Sequence, residues 1–112
     1  MKKSNKYVMV EKNIRVVNGE TVTTYTTDIV GANILRVEAG TNGYKGGDTG
    51  YGSRTYFRIT DMGSTDIRIK LDADGSFEVS LGGDSELSTI IQALKFIRKV
   101  LKRQAKWGSE CI

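Results

Sequence analysis

Apolar and polar residues alternate through the first three quarters of the chain, which is the period-two pattern of β-strands. Asn18-Gly19 and Asp74-Gly75 separate neighbouring segments of this kind, and both dipeptides are typical of tight hairpin turns because they tolerate positive φ. The pattern therefore predicts an antiparallel meander of five to six strands, with extended segments over residues 7–17, 21–27, 33–39, 53–61, 65–72 and 76–81.

The last three predicted strands carry the clearest apolar alternation. Residues two apart on a strand point to the same face of a sheet, so these side chains share one face and are predicted to form the core. They are Phe57, Ile59, Ile67, Ile69, Leu71, Phe77, Val79 and Leu81.

The period changes to that of a helix after Gly82-Gly83. We expect Asp84 or Ser85 to cap a helix over about residues 85–106, with a stop signal at Trp107-Gly108. Apolar residues then recur every three or four positions and form one stripe, which is predicted to cover the apolar face of the sheet. The stripe consists of Leu87, Ile90, Ile91, Leu94, Ile97, Val100 and Leu101. Strands followed by a single helix, without alternation, predict an α+β fold.

Two consequences follow from this arrangement of one sheet and one helix. Leu94 and Ile97 should lie against Phe57, Ile69 and Val79, so that Leu94→Ala costs ~2–5 kcal/mol through the cavity it creates. A single thin sheet also leaves a strand edge and its outer face uncovered. The sequence therefore predicts a homo-oligomer, a dimer or larger.

Length and composition predict one domain over residues 1–112, with 38% hydrophobic and 27% charged residues. No segment approaches the ~20 apolar residues that span a membrane, and the first residues lack the apolar region of a signal peptide. Cys111 is the only cysteine, so no internal disulfide forms. These features predict a cytoplasmic protein without membrane contact.

The net charge of +4 is concentrated on the predicted helix. Between Asp84 and Lys106 six bases face two acids. A cationic helix favours nucleic acid, phosphorylated ligands or acidic protein surfaces, but lysines also collect at helix C-termini because they complement the dipole. Both interpretations remain open.

A glycine-rich segment over residues 40–53 contains six of the thirteen glycines and is the first candidate binding site. Backbone amides of Gly46 and Gly47 could cradle an anion, Lys45 could meet a phosphate, and Tyr44 or Tyr51 could stack on a base. The alternative is a wide hairpin loop whose glycines only permit positive φ.

The predicted outer face of the sheet is the second candidate. Arg54, Tyr56, Arg58 and Thr60 alternate away from the core residues of one strand, and Arg68 and Lys70 do so on the next. Arginine interleaved with tyrosine suits a stacked, phosphate-bearing ligand. The alternative is a charged face on which Glu38, Asp66 and Glu78 pair across strands. The candidate ligand-binding residues are Tyr44, Lys45, Gly46, Gly47, Tyr51, Arg54 and Tyr56.

We expect no enzymatic activity, no cofactor and no metal site. The chain has no histidine, and Cys111 has no partner that would activate it. Asp72-Ala73-Asp74-Gly75 resembles the start of a calcium loop, but the position of the required later carboxylate is Gly83, so a hairpin turn is the better interpretation.

Two resemblances carry functional implications. The layout over residues 53–106 is similar to the transcriptional-coactivator and Whirly group, which implies a dimer that grips single-stranded nucleic acid. The block GTNGYKGGDTGYGSRTYF and the lone helix resemble small proteins of phages and prophages of Gram-positive bacteria. Among these, the Thoeris anti-defence family is similar in size and element order, which implies sequestration of cyclic nucleotide signals without catalysis.

The leading hypothesis is therefore a non-catalytic protein that captures a small phosphorylated or cyclic nucleotide and blocks defence signalling in the cytoplasm of a host cell. The alternatives are a module that binds single-stranded nucleic acid, and an inhibitor that contacts a host defence enzyme directly.

Overall fold

Six strands and one helix follow one another in the computed structural model, which describes residues 9–106. This order confirms the α+β fold with a C-terminal helix. The Trp107-Gly108 stop signal, Cys111 and the first residues of the predicted first strand lie outside the described part of the chain. The elements are β1 (Glu11–Val17), β2 (Glu20–Val30), β3 (Ile34–Thr41), β4 (Thr55–Gly63), β5 (Ile67–Leu71), β6 (Phe77–Leu81) and α1 (Asp84–Ala105).

The meander divides into two sheets. The strands β1, β2, β3 and β4 form an antiparallel sheet in chain order, whereas β5 and β6 pair only with each other. Strand β2 runs through Asp28, where the sequence predicted a break. It does so because Asp28 lies opposite Arg36 of β3 and pairs with it on an exposed face.

Both predicted hairpin turns are confirmed. Asn18 and Gly19 have φ values of 46° and 88°, the positive values that a type I′ turn requires at its two central positions. At the second turn, the backbone N–H of Asp72 donates to Ser76 O, and Gly75 adopts a φ of 90°.

The core lies between α1 and the two central strands. Helix α1 packs mainly on β3 and touches β2 and β4 less extensively. The register places Thr27 opposite Val37 and Ile29 opposite Leu35, so these side chains all point towards the helix. The main buried cluster consists of Ile29, Val37, Ala39, Ala93, Phe96, Ile97 and Val100.

The predicted core of the last three strands is therefore confirmed for Ile59, which packs against the buried cluster, but is wrong for most of its other members. Within the single chain Phe57 is 48% exposed, and Ile69, Leu71, Phe77 and Val79 are exposed as well. The physical reason is that the chain leaves the four-stranded sheet after β4, and β5 and β6 form a hairpin that the helix does not cover.

The predicted helix stripe is confirmed only in part: Ile97 and Val100 are buried against the sheet, and Ile90 and Leu101 pack beside them. The apolar arc of the helix is wider than the sheet covers, and the buried flank carries Thr89, Ala93, Phe96, Ile97 and Val100. Leu94 is 54% exposed, and Leu87 and Ile91 are exposed beside it. The contact of Leu94 with Phe57, Ile69 and Val79, and the loss of ~2–5 kcal/mol that it implied, are therefore wrong for the single chain.

Two side-chain amides fix the helix at the ends of its contact with the sheet. The buried Asn33 accepts hydrogen bonds from Ser85 Oγ and Thr89 Oγ1, both at 2.9 Å. At the other end, Gln104 accepts from Thr41 N at 3.1 Å and donates to Thr23 O at 2.9 Å. The Ser85 hydroxyl thus bonds Asn33 and does not cap the helix. Gly83 occupies the N-cap position, without a side-chain hydrogen bond.

Candidate functional site

The face of the four-stranded sheet opposite the helix carries most of its polar side chains; we call it the outer face. Cross-strand register decides its membership, because directly opposed residues of an antiparallel pair point to the same side. Its members include Glu11, Asn13 and Arg15 of β1, Thr24, Thr26 and Asp28 of β2, Arg36 and Glu38 of β3, and Tyr56, Arg58 and Thr60 of β4.

Glu38 is the buried centre of this face, with only 6% of its surface exposed. Arg15 grips its carboxylate with two parallel bonds, Nε to Oε2 at 2.5 Å and Nη2 to Oε1 at 2.8 Å. Thr24 Oγ1 adds a third bond at 2.6 Å. The Arg15 guanidinium lies 4.8 Å from the centroid of the Tyr56 ring, a cation–π distance. One carboxylate therefore fixes an arginine above a tyrosine.

The other two arginines of the outer face differ in their pairing. Arg36 makes a two-pronged contact with Asp28, at 2.8 and 3.1 Å. Arg58 lies opposite Glu38 in the register, yet among residues 9–106 it makes no hydrogen bond and no ion pair shorter than 4.0 Å. Among the three arginines, Arg58 is therefore the one whose guanidinium donates no hydrogen bond to residues 9–106, although its charge acts on Glu38.

These side chains surround a shallow depression of about 340 Å³. Small-ligand sites begin at roughly 300 Å³, so the depression is large enough for part of a nucleotide. Its lining includes Asn13, Arg15, Arg36, Glu38, Arg58 and Thr60.

The ionisation of Glu38 is coupled to folding. Hydrogen bonds from Arg15, helped by that of Thr24 and by the charge of Arg58, hold the pKa of Glu38 below its ordinary value of 4.5, although burial opposes the shift. A lowered folded pKa adds stability that is fully present above the unfolded pKa and is lost as the pH falls through the folded pKa.

We therefore expect the free energy of unfolding to fall less between about pH 6 and about pH 3 in Glu38→Gln than in the parent protein. Urea denaturation at each pH measures the difference. Glu78→Gln, which changes an exposed carboxylate of the hairpin, is the matched control for the substitution itself. Parallel pH profiles for the parent and Glu38→Gln would contradict the coupling.

The glycine-rich segment is a loop held together by its own polar groups. Arg54 donates through Nε to Asn18 O at 2.9 Å and through Nη1 to Thr49 O and Ser53 O at 3.0 Å. Asn42 bridges the two ends of the loop, with Nδ2 donating to Gly52 O and Oδ1 accepting from Arg54 N, both at 2.8 Å. The Arg54 guanidinium thus ties the loop to the first hairpin turn.

The two candidate anion-binding glycines lie in different surroundings. A Cβ on Gly47 would overlap the Tyr51 ring, 2.6 Å from Cε1, so close packing of this ring accounts for the glycine. A Cβ on Gly46 would meet nothing within 4 Å, although its φ of +87° strains other residues. The loop's internal packing thus explains Gly47 without a ligand.

The predicted site residues do not converge on one cavity. Tyr56 lies on the outer face with Arg15 and Arg58, whereas Tyr51 packs on Gly47 within the loop. Tyr44 lines a separate depression of about 250 Å³ beside Lys102 of the helix. Lys45 and Gly46 are exposed between these positions.

Sequence reasoning missed Arg15 and Arg36 as members of a site, although it named Glu38 among the carboxylates that pair across strands. The signal was present, since Arg36 and Glu38 alternate with the buried Leu35 and Val37 in β3. Arg15, however, joins them only through strand pairing, which a single sequence does not reveal.

The helix side offers a larger depression of about 440 Å³, lined by aromatic side chains of Tyr25 and Phe96 and by the bases Lys99 and Arg103. Among residues 9–106 no group of three or more acidic or cysteine side chains is arranged to hold a metal ion. Within the same range, α1 is neither apolar nor uncharged enough over its length to cross a membrane.

Compared with models of known protein families, with curated protein sequences and with solved structures, the chain matches none.

Proposed function

We propose that this protein is a non-catalytic binding protein that captures a small phosphorylated nucleotide on the outer face of its sheet. One observation carries the proposal. Arg58, whose guanidinium donates no hydrogen bond within residues 9–106, lines a depression of about 340 Å³ next to Arg15 and Arg36. In its wider form, the proposal is that a phage-encoded protein removes a cyclic nucleotide signal from host defence.

The arginine donors, rather than the net charge of the face, support an anionic ligand, because Glu11, Glu38 and Asp28 balance the charges of Arg15, Arg36 and Arg58. Arg15 and Arg36 each use Nε and Nη2 for a carboxylate, which fixes the orientation of the planar group before any ligand arrives. Their Nη1 groups make no hydrogen bond within residues 9–106, and Arg58 contributes all its donors. A charge-assisted hydrogen bond to phosphate contributes roughly 1.5–3 kcal/mol.

The aromatic group supports a base beside the phosphate. Tyr56 lies two residues before Arg58 on the same face, beside the depression rather than in its lining, and is half-buried with the Arg15 guanidinium over its ring. Planar rings and guanidinium groups are the surfaces on which nucleobases stack. A ligand that carries both a base and a phosphate therefore fits this face better than phosphate alone.

The state of Glu38 supports binding rather than turnover. Its carboxylate is buried, its pKa is lowered, and both of its oxygens accept hydrogen bonds. A general acid needs a raised pKa, and a general base needs an oxygen that faces substrate. Glu38 instead holds Arg15 in place.

The test is calorimetric titration with a panel of linear and cyclic mono- and dinucleotides. We expect Arg58→Ala to weaken the best ligand roughly 10- to 100-fold, the equivalent of one charge-assisted contact. Because Arg58 makes no hydrogen bond in the described structure, the melting temperature of Arg58→Ala should stay close to that of the parent protein. Arg68→Ala removes an exposed arginine from the hairpin and is the matched control with unchanged affinity.

Three other outcomes would overturn the assignment. Loss of binding in Lys45→Ala with full binding in Arg58→Ala would place the site in the glycine-rich loop. Loss of binding in Arg103→Ala alone would place it in the depression beside the helix. An affinity that rises with oligonucleotide length and falls steeply with salt would identify a nucleic-acid-binding module instead.

A further inference from the structure

The β5–β6 hairpin has one wholly apolar face. The register pairs Ile67 with Leu81, Ile69 with Val79 and Leu71 with Phe77, and opposed residues share a face. The other face carries the pairs Arg68 with Ser80 and Lys70 with Glu78. Towards the tip the apolar face is open, and Leu71 is 81% exposed.

Within residues 9–106 no other element covers this hairpin. It is a separate two-stranded sheet that makes only marginal contact with the helix and the four-stranded sheet. At its base Gly82 N donates to Asp66 O across the hairpin's own two ends, and Asp66 N donates to Glu86 Oε2 of the helix. An isolated two-stranded hairpin is at best marginally stable in water, so its apolar face needs a partner.

The same chain exposes a second apolar surface of matching form. Leu87, Ile91 and Leu94 are spaced by four and three residues and make one stripe on α1, which we call the free stripe. It lies well away from the buried flank that carries Ala93 and Phe96, so the sheet does not cover it.

We propose that the protein forms a two-fold symmetric dimer in which the apolar face of each β5–β6 hairpin packs on the free stripe of the other copy. The lengths agree: five strand residues extend roughly 14 Å and the stripe from Leu87 to Leu94 roughly 10 Å. A two-fold axis repeats the contact between hairpin and stripe, so that both hairpins and both stripes are covered. Two-fold symmetric dimers are the commonest soluble homo-oligomers.

Charge favours this pairing. Residues 64–83, which contain the hairpin, carry four acids and two bases, whereas residues 84–106 carry six bases and two acids. Two of the acids, Asp72 and Asp74, lie at the hairpin tip, and Arg98 extends the line of the free stripe by one turn. A hairpin whose base lies near Leu87 would therefore bring acidic groups to the basic end of the partner's helix.

The exposed area is sufficient for a dimer. The three helix side chains and the four hairpin side chains Ile69, Leu71, Phe77 and Val79, each between 40% and 81% exposed, would remove roughly 700–800 Å² of apolar surface from water in a symmetric pair. Because interfaces are about 60% apolar, this corresponds to roughly 1,200 Å² in total, the lower end of specific interfaces. A second copy thus fits the hairpin and the free stripe with one contact.

Sedimentation equilibrium of the full chain tests the proposal. We expect a species of twice the 12.3 kDa chain mass at micromolar concentration. Leu71→Glu and Ile91→Glu should each raise the dimer dissociation constant at least 10-fold. Val16→Glu changes a side chain of β1 that is 75% exposed but belongs to neither surface, and it should leave the constant unchanged. Circular dichroism confirms that each variant is folded.

A cross-linking experiment identifies the surfaces even if one variant fails to fold. A benzophenone side chain at Leu71 is illuminated in an equal mixture of light and heavy-isotope protein. We expect cross-linked peptides that join one light and one heavy chain and that map to residues 84–98. A monomer throughout the concentration range, cross-links confined to single chains, or dissociation by Val16→Glu alone would each overturn the proposal.

Discussion

Replacing Phe96 by alanine is expected to lower the free energy of unfolding by about 3–5 kcal/mol. Phe96 is 4% exposed and is the largest side chain of the cluster between α1 and the central strands. Its removal leaves a cavity that Ile29, Val37 and Val100 cannot fill without moving the helix. A loss of this size is a large fraction of the stability of a small domain, so the variant should be partly unfolded at 37 °C.

Urea denaturation of Phe96→Ala and Leu94→Ala measures the orientation of the helix directly. The two residues are close in sequence but lie on opposite sides of α1, and Leu94 is 54% exposed in the single chain. At a concentration low enough for monomers, Leu94→Ala should cost less than about 1 kcal/mol. A larger loss in Leu94→Ala than in Phe96→Ala at that concentration would mean that the free stripe, not the flank of Phe96, faces the sheet.

Replacing Gly40 by alanine is expected to cost about 3 kcal/mol or more, the upper range for overpacked positions. Gly40 lies in β3, which has a strand on each side and the helix beneath it. A Cβ there would overlap the Thr23 carbonyl oxygen and lie 2.8 Å from Thr24 Cα. Backbone atoms of β2 cannot rotate away as a side chain would, so the two strands must separate.

Gly63→Ala is the matched control for this position. Gly63 is also a strand residue, but a Cβ on it would meet nothing within 4 Å and its φ is not positive. We expect its thermal melting temperature to stay within a few degrees of the parent, because the substitution adds no clash and lowers the entropy of the unfolded chain. A comparable loss in both variants would show that backbone freedom, rather than the contact with Thr23, requires Gly40.

The outer face could be predicted only in part. Alternation in β4 correctly assigned Tyr56, Arg58 and Thr60 to the side away from the core. It also grouped Arg68 and Lys70 with them, which is wrong because those residues belong to the separate hairpin. The partnership of Arg15 with Glu38 spans two strand pairings, and no local pattern reveals it.

What the sequence determined by itself is the set of elements. Period-two alternation, the Asn18-Gly19 and Asp74-Gly75 turns and the three-and-four spacing of the helix are local signals, because backbone conformation depends on neighbouring residues. They sufficed for six strands, one helix and the α+β class.

Only the tertiary structure decided which apolar surfaces meet. The chain offers more apolar surface than one core buries: β2 and β3, the β5–β6 hairpin and a wide arc of α1 all present it. The more polar β2 and β3 cover the helix because Ala39 and Ala93 allow close approach and because Asn33 and Gln104 anchor its two ends. Such a choice depends on shape and on paired polar groups in three dimensions, which periodicity does not encode.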